Sequence, residues 1–320
     1  MRAKADSRIP SYTSVKGISG DLTTIESEWM DDLMKSWIEG FSRHYPGVKI
    51  SSLKRVTVGA MGVEPALTDG RIQLAPASRE LLPFEVEHFK QKFGYEPLEI
   101  EVGLGSYRAP DRSKAIAIYV NQNNPIKELT LAQLDAIYCG TRNRGYKEDI
   151  WKWGQLGLTG EWADREILPV GTQQPEGTGN FLRMQACLNG DFKRSFHLLK
   201  PAPPASGLER IVRIVAANPS AIGYGGFGNA RPGAKAVPLA EKEGGPYVTG
   251  TFEDVTSGKY PLVRYIYISV NRAPGKPLNA NVKEFLKYVL SLEGQQAVEK
   301  DDAMLPLPLQ FVERERTKLN

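Results

Sequence analysis

The polar and apolar positions of this chain alternate between two periods. In EWMDDLMKSWIEGF, apolar side chains fall at Met30, Leu33, Met34, Trp37, Ile38 and Phe41, the i, i+3, i+4, i+7 stripe of a helix packed on one face. Thr23 with Glu26, or Ser27, is placed to cap it, and Gly40 and Tyr45-Pro46-Gly47 close it. VKISSL then predicts a strand, and PFEVEHFKQKF a helix ended by Gly94. LEIEVGL and KAIAIYVN have the alternation of strands, and NPIKELTLAQLDAIYCG reads as a turn followed by a short capped helix. After a tryptophan-containing loop, EILPVG is a strand, with helices predicted over 180–188 and 208–216. AIGYGGFG is a strand and turn, YPLVRYIYISVN a strong strand, NVKEFLKYVLSLEGQQAVEK a last long helix, and LPLPLQFV an extended tail. Strands alternating with helices throughout predict an α/β architecture with largely parallel sheets.

Composition narrows the class. With 320 residues, 41% apolar and 24% charged, the chain is globular and long enough for two domains. The net charge of +4 is small beside its 78 charged side chains, and the basic residues are scattered, so no nucleic-acid partner is expected. No run approaches the ~20 apolar residues of a membrane span, and MRAKADSRIPSYTSV lacks the apolar core of a signal peptide. Cys139 and Cys187 are the two cysteines; the count fits either one disulfide or two buried thiols.

Little in the chain argues for catalysis. Gly223-Tyr224-Gly225-Gly226-Phe227-Gly228 matches GxGxxG in letters, but Arg231-Pro232-Gly233 follows where a dinucleotide site needs a long helix. The expectation is a glycine-rich turn that lets other groups come close. His44, His88 and His197 stand alone rather than in a metal-ligand cluster, and no GxSxG elbow or Walker loop occurs. Neither metal nor cofactor is expected, and the chain reads as a non-enzyme. Trp151, Trp153 and Trp162, and Tyr224 with Phe227, serve packing or line a ligand cleft.

The most informative stretch is ILPVGTQQPEGTGNF, a strand, a glycine-bearing loop and a helix start. Such a loop presents backbone N–H groups to an anion. Yet it carries Glu176, and no lysine or arginine lies between Leu168 and Leu182.

IYVNQNNPIKELTLAQLDAIY, WGQLGLTGEWADREI, AIGYGGFG, YPLVRYIYISVN and EFLKYVLSLEGQQAV occur in one order. In this order the chain, from about Gly17 to Pro308, resembles the PstS-type phosphate-binding family of periplasmic solute-binding proteins, the receptors of phosphate ABC transporters. The resemblance implies a type II periplasmic binding-protein fold, with two α/β domains joined by two strands and a ligand held between them. Domain 1 is then discontinuous, 14–116 plus 264–320, and domain 2 spans 117–263. It also implies a Cys139–Cys187 disulfide, a periplasmic location with the signal removed, a small-molecule ligand, an ABC-type permease as partner, and a monomer.

Carried over position by position, the binding loops depart from the family. Its first loop reads Gly-Ser-Asp-Thr, and that place here holds Glu26-Ser27-Glu28-Trp29. The glycine-, serine- and threonine-rich second loop falls at Gly59-Ala60-Met61-Gly62-Val63-Glu64, while Ser78 and Arg79 stand as the family has them. In the third loop Thr172 takes the place of an arginine and Glu176 that of a serine, ahead of Gly177 and Thr178.

A buried phosphate needs several charge-assisted donors, and losing them costs several kcal/mol for an undersolvated charge. The expected ligand is therefore cationic or neutral, with Glu26, Glu28 and Glu176 offering charge and Trp29 and Met61 an apolar or cation–π surface. In the plainer alternative Glu176 is only a helix-terminus acid, worth about 0.3–1 kcal/mol. Two other functions stay open: a true phosphate receptor, and an envelope scaffold or sensor with a binding-protein fold.

Overall fold

The computed structural model describes residues 3–27, 29–55, 60–109, 113–172, 177–194, 196–200, 206–301 and 303–320. Along the chain these form β1 (Gly20–Ile25), α1 (Asp31–His44), β2 (Val48–Leu53), α2 (Val63–Thr68), β3 (Ala75–Ala77), α3 (Pro83–Phe93) and β4 (Leu98–Leu104). Then come β5 (Ile116–Asn121), β6 (Leu129–Thr130), α4 (Leu131–Tyr138), β7 (Leu168–Thr172), α5 (Gly177–Cys187), β8 (His197–Leu199), α6 (Gly207–Ala217) and β9 (Ala221–Gly226). The remainder is β10 (Ala234–Ala236), β11 (Leu239–Ala240), α7 (Phe252–Thr256), β12 (Tyr265–Val270), α8 (Ala280–Val289), α9 (Leu292–Asp301) and α10 (Leu309–Thr317). The chain divides into two compact units. One comprises Met1–Ser106, Asp111–Ser113 and Arg264–Asn320, the other Tyr107–Pro110 and Lys114–Val263.

In the first unit β1 and β2 pair in parallel, and β12 runs antiparallel between β3 and β4. The α1 stripe behaves as its spacing predicts: Leu33, Met34, Trp37 and Phe41 are buried. Each such side chain contributes about 1.5–3 kcal/mol by leaving water. Trp37 also donates its indole N–H to the Gly294 carbonyl at 2.8 Å, tying α1 to α9. The cap differs from expectation. Thr23 lies within β1 and Ser27 gives its backbone N–H to Asp31 Oδ1 at 2.6 Å, so the helix opens at Asp31 with an acidic first turn.

The second unit has a five-stranded sheet of order β10-β5-β9-β7-β8, with β6 and β11 as a separate parallel pair. β7 is parallel to β8 and β9, while β5 is antiparallel to β9 and β10. The sheets are therefore mixed rather than largely parallel. In the first unit β12 returns to the sheet antiparallel to both β3 and β4.

The C-terminal elements differ from expectation in two places. The run 281–300 is two helices. A Cβ on Gly294 would lie 2.3 Å from the carbonyl oxygens of Tyr288 and Val289, and Ser291 turns its hydroxyl back to the Tyr288 carbonyl at 2.7 Å, so the chain re-nucleates there. LPLPLQFV is extended only as far as Pro308, after which α10 begins. Proline is well tolerated at a helix start, where no intrahelical N–H bond is lost. The GxGxxG letters span the end of β9 and the 3-10 turn after it, and permit close approach: a Cβ on Gly223 would meet Ile211 of α6 at 2.4 Å, and one on Gly225 would meet Val212 at 2.9 Å.

Candidate functional site

In the first unit Arg79 is held in a fixed fork. Its Nη1 and Nη2 donate to the two carboxylate oxygens of Glu85 at 2.7 and 2.8 Å, and Nη1 also donates to the Glu80 carbonyl at 2.8 Å. Glu85 is 1% exposed and takes the Leu82 backbone N–H at 2.7 Å, because it is the third residue of α3, where a glutamate reaches back to the helix start. The other Arg79 nitrogen lies 3.7 Å from Met61 Sδ, so the structure brings these two candidates together. Met61 itself is largely exposed, Ser78 is buried, and Ala60 belongs to an apolar cluster with Ile25, Val63, Leu67 and Phe89.

The same unit holds further withdrawn carboxylates. Glu80 and Arg264, both buried, face each other at 3.4 Å. Glu99 accepts the Leu81 N–H at 3.0 Å, yet its pKa is pushed up to about 7, first by burial and then by the negative charges of Glu80 and Glu85. Glu64, 1% exposed, has both oxygens 3.1 Å from His88 Nδ1 and also accepts from Thr68. His88 is thus a carboxylate partner, which its solitary place in the sequence did not reveal.

The first-loop candidates are also engaged. Glu26 is bonded to Lys54 and accepts the Arg55 backbone N–H at 3.3 Å, and the Lys54 ammonium draws its pKa below the ordinary carboxylate value. Ser27 is buried and Trp29 half-buried. Glu28 lies outside the described residues.

In the second unit the loop after β7 begins at Thr172, which is buried. Its backbone N–H donates to the Tyr224 hydroxyl at 3.0 Å, and its Oγ1 is 3.1 Å from the same oxygen. Gly207 presses on it, since a Cβ there would lie 2.5 Å from Thr172 Cγ2. Thr178 is buried in the first turn of α5, behind Gly177, and Glu176 lies outside the described residues. The far end of α5 is fixed by a disulfide between Cys187 and Cys139, with Cα atoms 6.2 Å apart.

Among the described residues, Asp135, Cys139 and Cys187 are the one grouping whose ligand atoms lie close enough to hold a metal. The disulfide consumes both thiolates, so this donor set does not suit a cation. Of the tryptophans, Trp153 and Trp162 are core residues, while Trp151 is exposed and has Lys193 Nζ 3.9 Å from its ring.

Sequence reasoning missed Glu80, Glu85 and Arg264 altogether; it placed Glu64 in the second loop, took His88 as solitary and weighed Tyr224 for packing or a cleft, without the partners the fold gives them. Only Glu85 carried a local signal, its third place in a helix opened by Leu82-Pro83. The others act across sequence distances that spacing does not encode.

The PBP superfamily domain matches residues 16–293. The phosphate-binding protein PstS of Pseudomonas aeruginosa is 37% identical over 312 residues, covering 98% of this chain and 91% of the relative. Protein SphX of Synechococcus elongatus is 25% identical over 79% of this chain and 69% of its own length. Among solved structures, PstS of Borrelia burgdorferi shares the fold with a TM-score of 0.55 at 18% identity, covering 91% of this chain and all 100% of that one. An ABC-type phosphate transport receptor of Vibrio cholerae shares it with a TM-score of 0.53 at 20% identity, over 89% and 100%. No helix of the described residues is long and apolar enough to cross a membrane. The chain belongs to the PstS-type family of phosphate ABC-transporter substrate-binding proteins within the PBP superfamily, a family of binding proteins rather than enzymes.

Proposed function

We propose that this protein is a periplasmic solute receptor that delivers a cationic or neutral small organic molecule, rather than phosphate, to an ABC-type permease. One observation carries the reading: Arg79, the cation kept at the candidate binding positions, is neutralised by the buried carboxylate of Glu85 through two hydrogen bonds. An arginine committed in this way offers a buried dianion little net charge. The tie between Thr172 and Tyr224 supports the same reading, since the residue that enters the third loop brings a hydroxyl and no positive charge. The proposed ligand residues are Glu26, Ser27, Glu28, Trp29, Ala60, Met61, Ser78 and Arg79 of domain 1 (14–116 plus 264–320). Domain 2 (117–263) adds Thr172, Glu176, Gly177 and Thr178. The receptor acts as a monomer.

Thermal-shift titration tests it, because a ligand that binds only the native state raises the melting temperature. Phosphate is expected to leave the midpoint unchanged, while a panel of amines, sugars and amino acids contains a stabilising member. A saturable rise with micromolar phosphate overturns the reading. Native mass spectrometry of the freshly purified protein then identifies the bound solute directly. The second reading, a phosphate receptor, is favoured by the 37% identity to a protein named for phosphate binding. Under the first reading, Thr172→Arg with Glu176→Ser restores measurable phosphate binding; under the second, the unaltered protein already has it.

A further inference from the structure

One face of α3 grips two of the segments that carry candidate ligand positions. Glu85 fixes Arg79. His88, three residues on and therefore on the same face, has Nδ1 3.1 Å from both oxygens of Glu64. An ionised carboxylate only accepts, so Nδ1 carries the hydrogen. Glu64 is the second residue of α2, just after the segment with Ala60 and Met61. Met61 Sδ in turn meets Arg79 Nη2 at 3.7 Å. The ties thus close a ring, from α3 through Glu64, Met61 and Arg79 and back to α3 at Glu85. α2 does not hold its end of this ring unaided. It has six residues and no side-chain cap at Gly62, too short to persist on its own hydrogen bonds. Its Val63, Ala66 and Leu67 share an apolar cluster with Phe89 of α3, and such contacts resist separation without fixing direction. The His88–Glu64 bond is directional.

We propose that His88 is a positioning residue for solute binding: its imidazolium anchors Glu64 and so sets where Met61 stands beside Arg79, and loss of its proton loosens that segment. The inference rests on the solute reading above only in taking Met61 and Arg79 as ligand positions. Glu64 is almost wholly withdrawn from water, whereas the His88 side chain is 52% exposed. The exposed partner exchanges its proton with solvent, and histidine is the side chain suited to changing charge near neutrality. With the proton the pair is a charge-assisted bond. Without it Nδ1–H still donates, but the buried carboxylate loses its countercharge. The tie is therefore strong at low pH and weakens as the imidazole deprotonates. Of the charged groups around His88, α2 contributes only Glu64. α3 contributes Glu85, bound to Arg79, then Glu87, which accepts from Gln91 Nε2 at 3.2 Å, and Lys92 one turn on. Burial also brings Glu99 and Glu101 of β4 to titrate near neutrality, so the test separates them.

The test follows the Met61 methyl group by NMR of the full chain, with no solute added, between about pH 5 and about pH 8. Met61→Leu assigns the methyl signal, and the His88 ring signal is followed in the same samples. The Met61 signal is expected to shift with the midpoint of the His88 ring. His88→Gln keeps an N–H without the charge and is expected to hold the signal at its high-pH position throughout. His88→Lys, charged across the range, is expected to hold it near the low-pH position. Glu99→Gln and Glu101→Gln are expected to leave the shift in place. Melting curves establish that the variants fold, and the two midpoints in the unaltered protein decide where one does not. A Met61 signal that ignores pH, that departs from the His88 midpoint, that still titrates in His88→Gln, or that stops titrating in Glu99→Gln or Glu101→Gln overturns the inference. Because no solute is present, failure here falls on His88, whereas stabilisation by phosphate falls on the solute reading.

Discussion

The guanidinium of Arg79 and the carboxylate of Glu85 form two parallel hydrogen bonds, at 2.7 and 2.8 Å, with Glu85 almost wholly withdrawn from solvent. The pair joins a candidate binding position to the first turn of α3 and sets the charge that position presents. Removing one partner leaves the other buried and uncompensated. Glu85→Ala is expected to lower unfolding stability by about 3–5 kcal/mol, measured as a fall in the urea midpoint. Arg79→Met with Glu85→Leu is expected to recover most of that loss. A Glu85→Ala protein as stable as the original would show that the pair contributes little.

Acidity is expected to matter in the first unit. Glu99 and Glu101 both have folded-state pKa values raised to about 7, by burial foremost and then by neighbouring carboxylates. A carboxyl whose folded pKa exceeds its unfolded value contributes stability that is fully present below about pH 4.5 and lost as pH rises through 7. Denaturant unfolding is therefore expected to show a decline between pH 5 and 8, on the order of 3 kcal/mol from Glu99. Glu99→Gln flattens that part of the profile. A profile unchanged by the substitution would assign the slope to other groups.

The Cys139–Cys187 bond spans 48 residues of chain. Closing a loop of that length removes denatured-state entropy worth about 4 kcal/mol at 25 °C. Reduction, or Cys139→Ser with Cys187→Ser, is expected to lower the melting temperature clearly. α5 carries Gly177 and Thr178 at its other end, so hydrogen exchange is expected to rise along that helix. Unchanged exchange in α5 would mean that packing alone holds the helix.

The Tyr224 hydroxyl serves both the backbone N–H and the hydroxyl of Thr172. Tyr224→Phe keeps the ring and removes those bonds, at an expected cost of about 1–3 kcal/mol. The same substitution is expected to weaken binding of whichever solute the receptor carries, because the third loop starts at Thr172. Solute affinity unaltered in a destabilised variant would separate the loop's anchoring from its recognition.

Local pattern made much of the architecture readable. The α1 stripe, the α3 run with Gly94 at its end and the strand alternation at LEIEVGL each depend on residues a few positions apart, and the structure has all three where the pattern puts them. The reading failed where a local rule met a tertiary one. The apolar run 281–300 is continuous in sequence but broken at Ser291, where Gly294 packs against the preceding turn. β12 has the composition of a strand in any sheet, and only its return between β3 and β4 makes it antiparallel.

By itself, the sequence determined that the chain is a two-period α/β protein and that its order of motifs is that of the PstS-type family. The charge that the candidate positions present was decided only in three dimensions. Arg79 and Glu26 read as free charges along the chain, yet the fold gives each an opposite partner, Glu85 and Lys54. Periodicity reports which face of an element is buried, because burial repeats with the backbone. The pairing of charges depends on which elements come to lie side by side, and no local spacing records that.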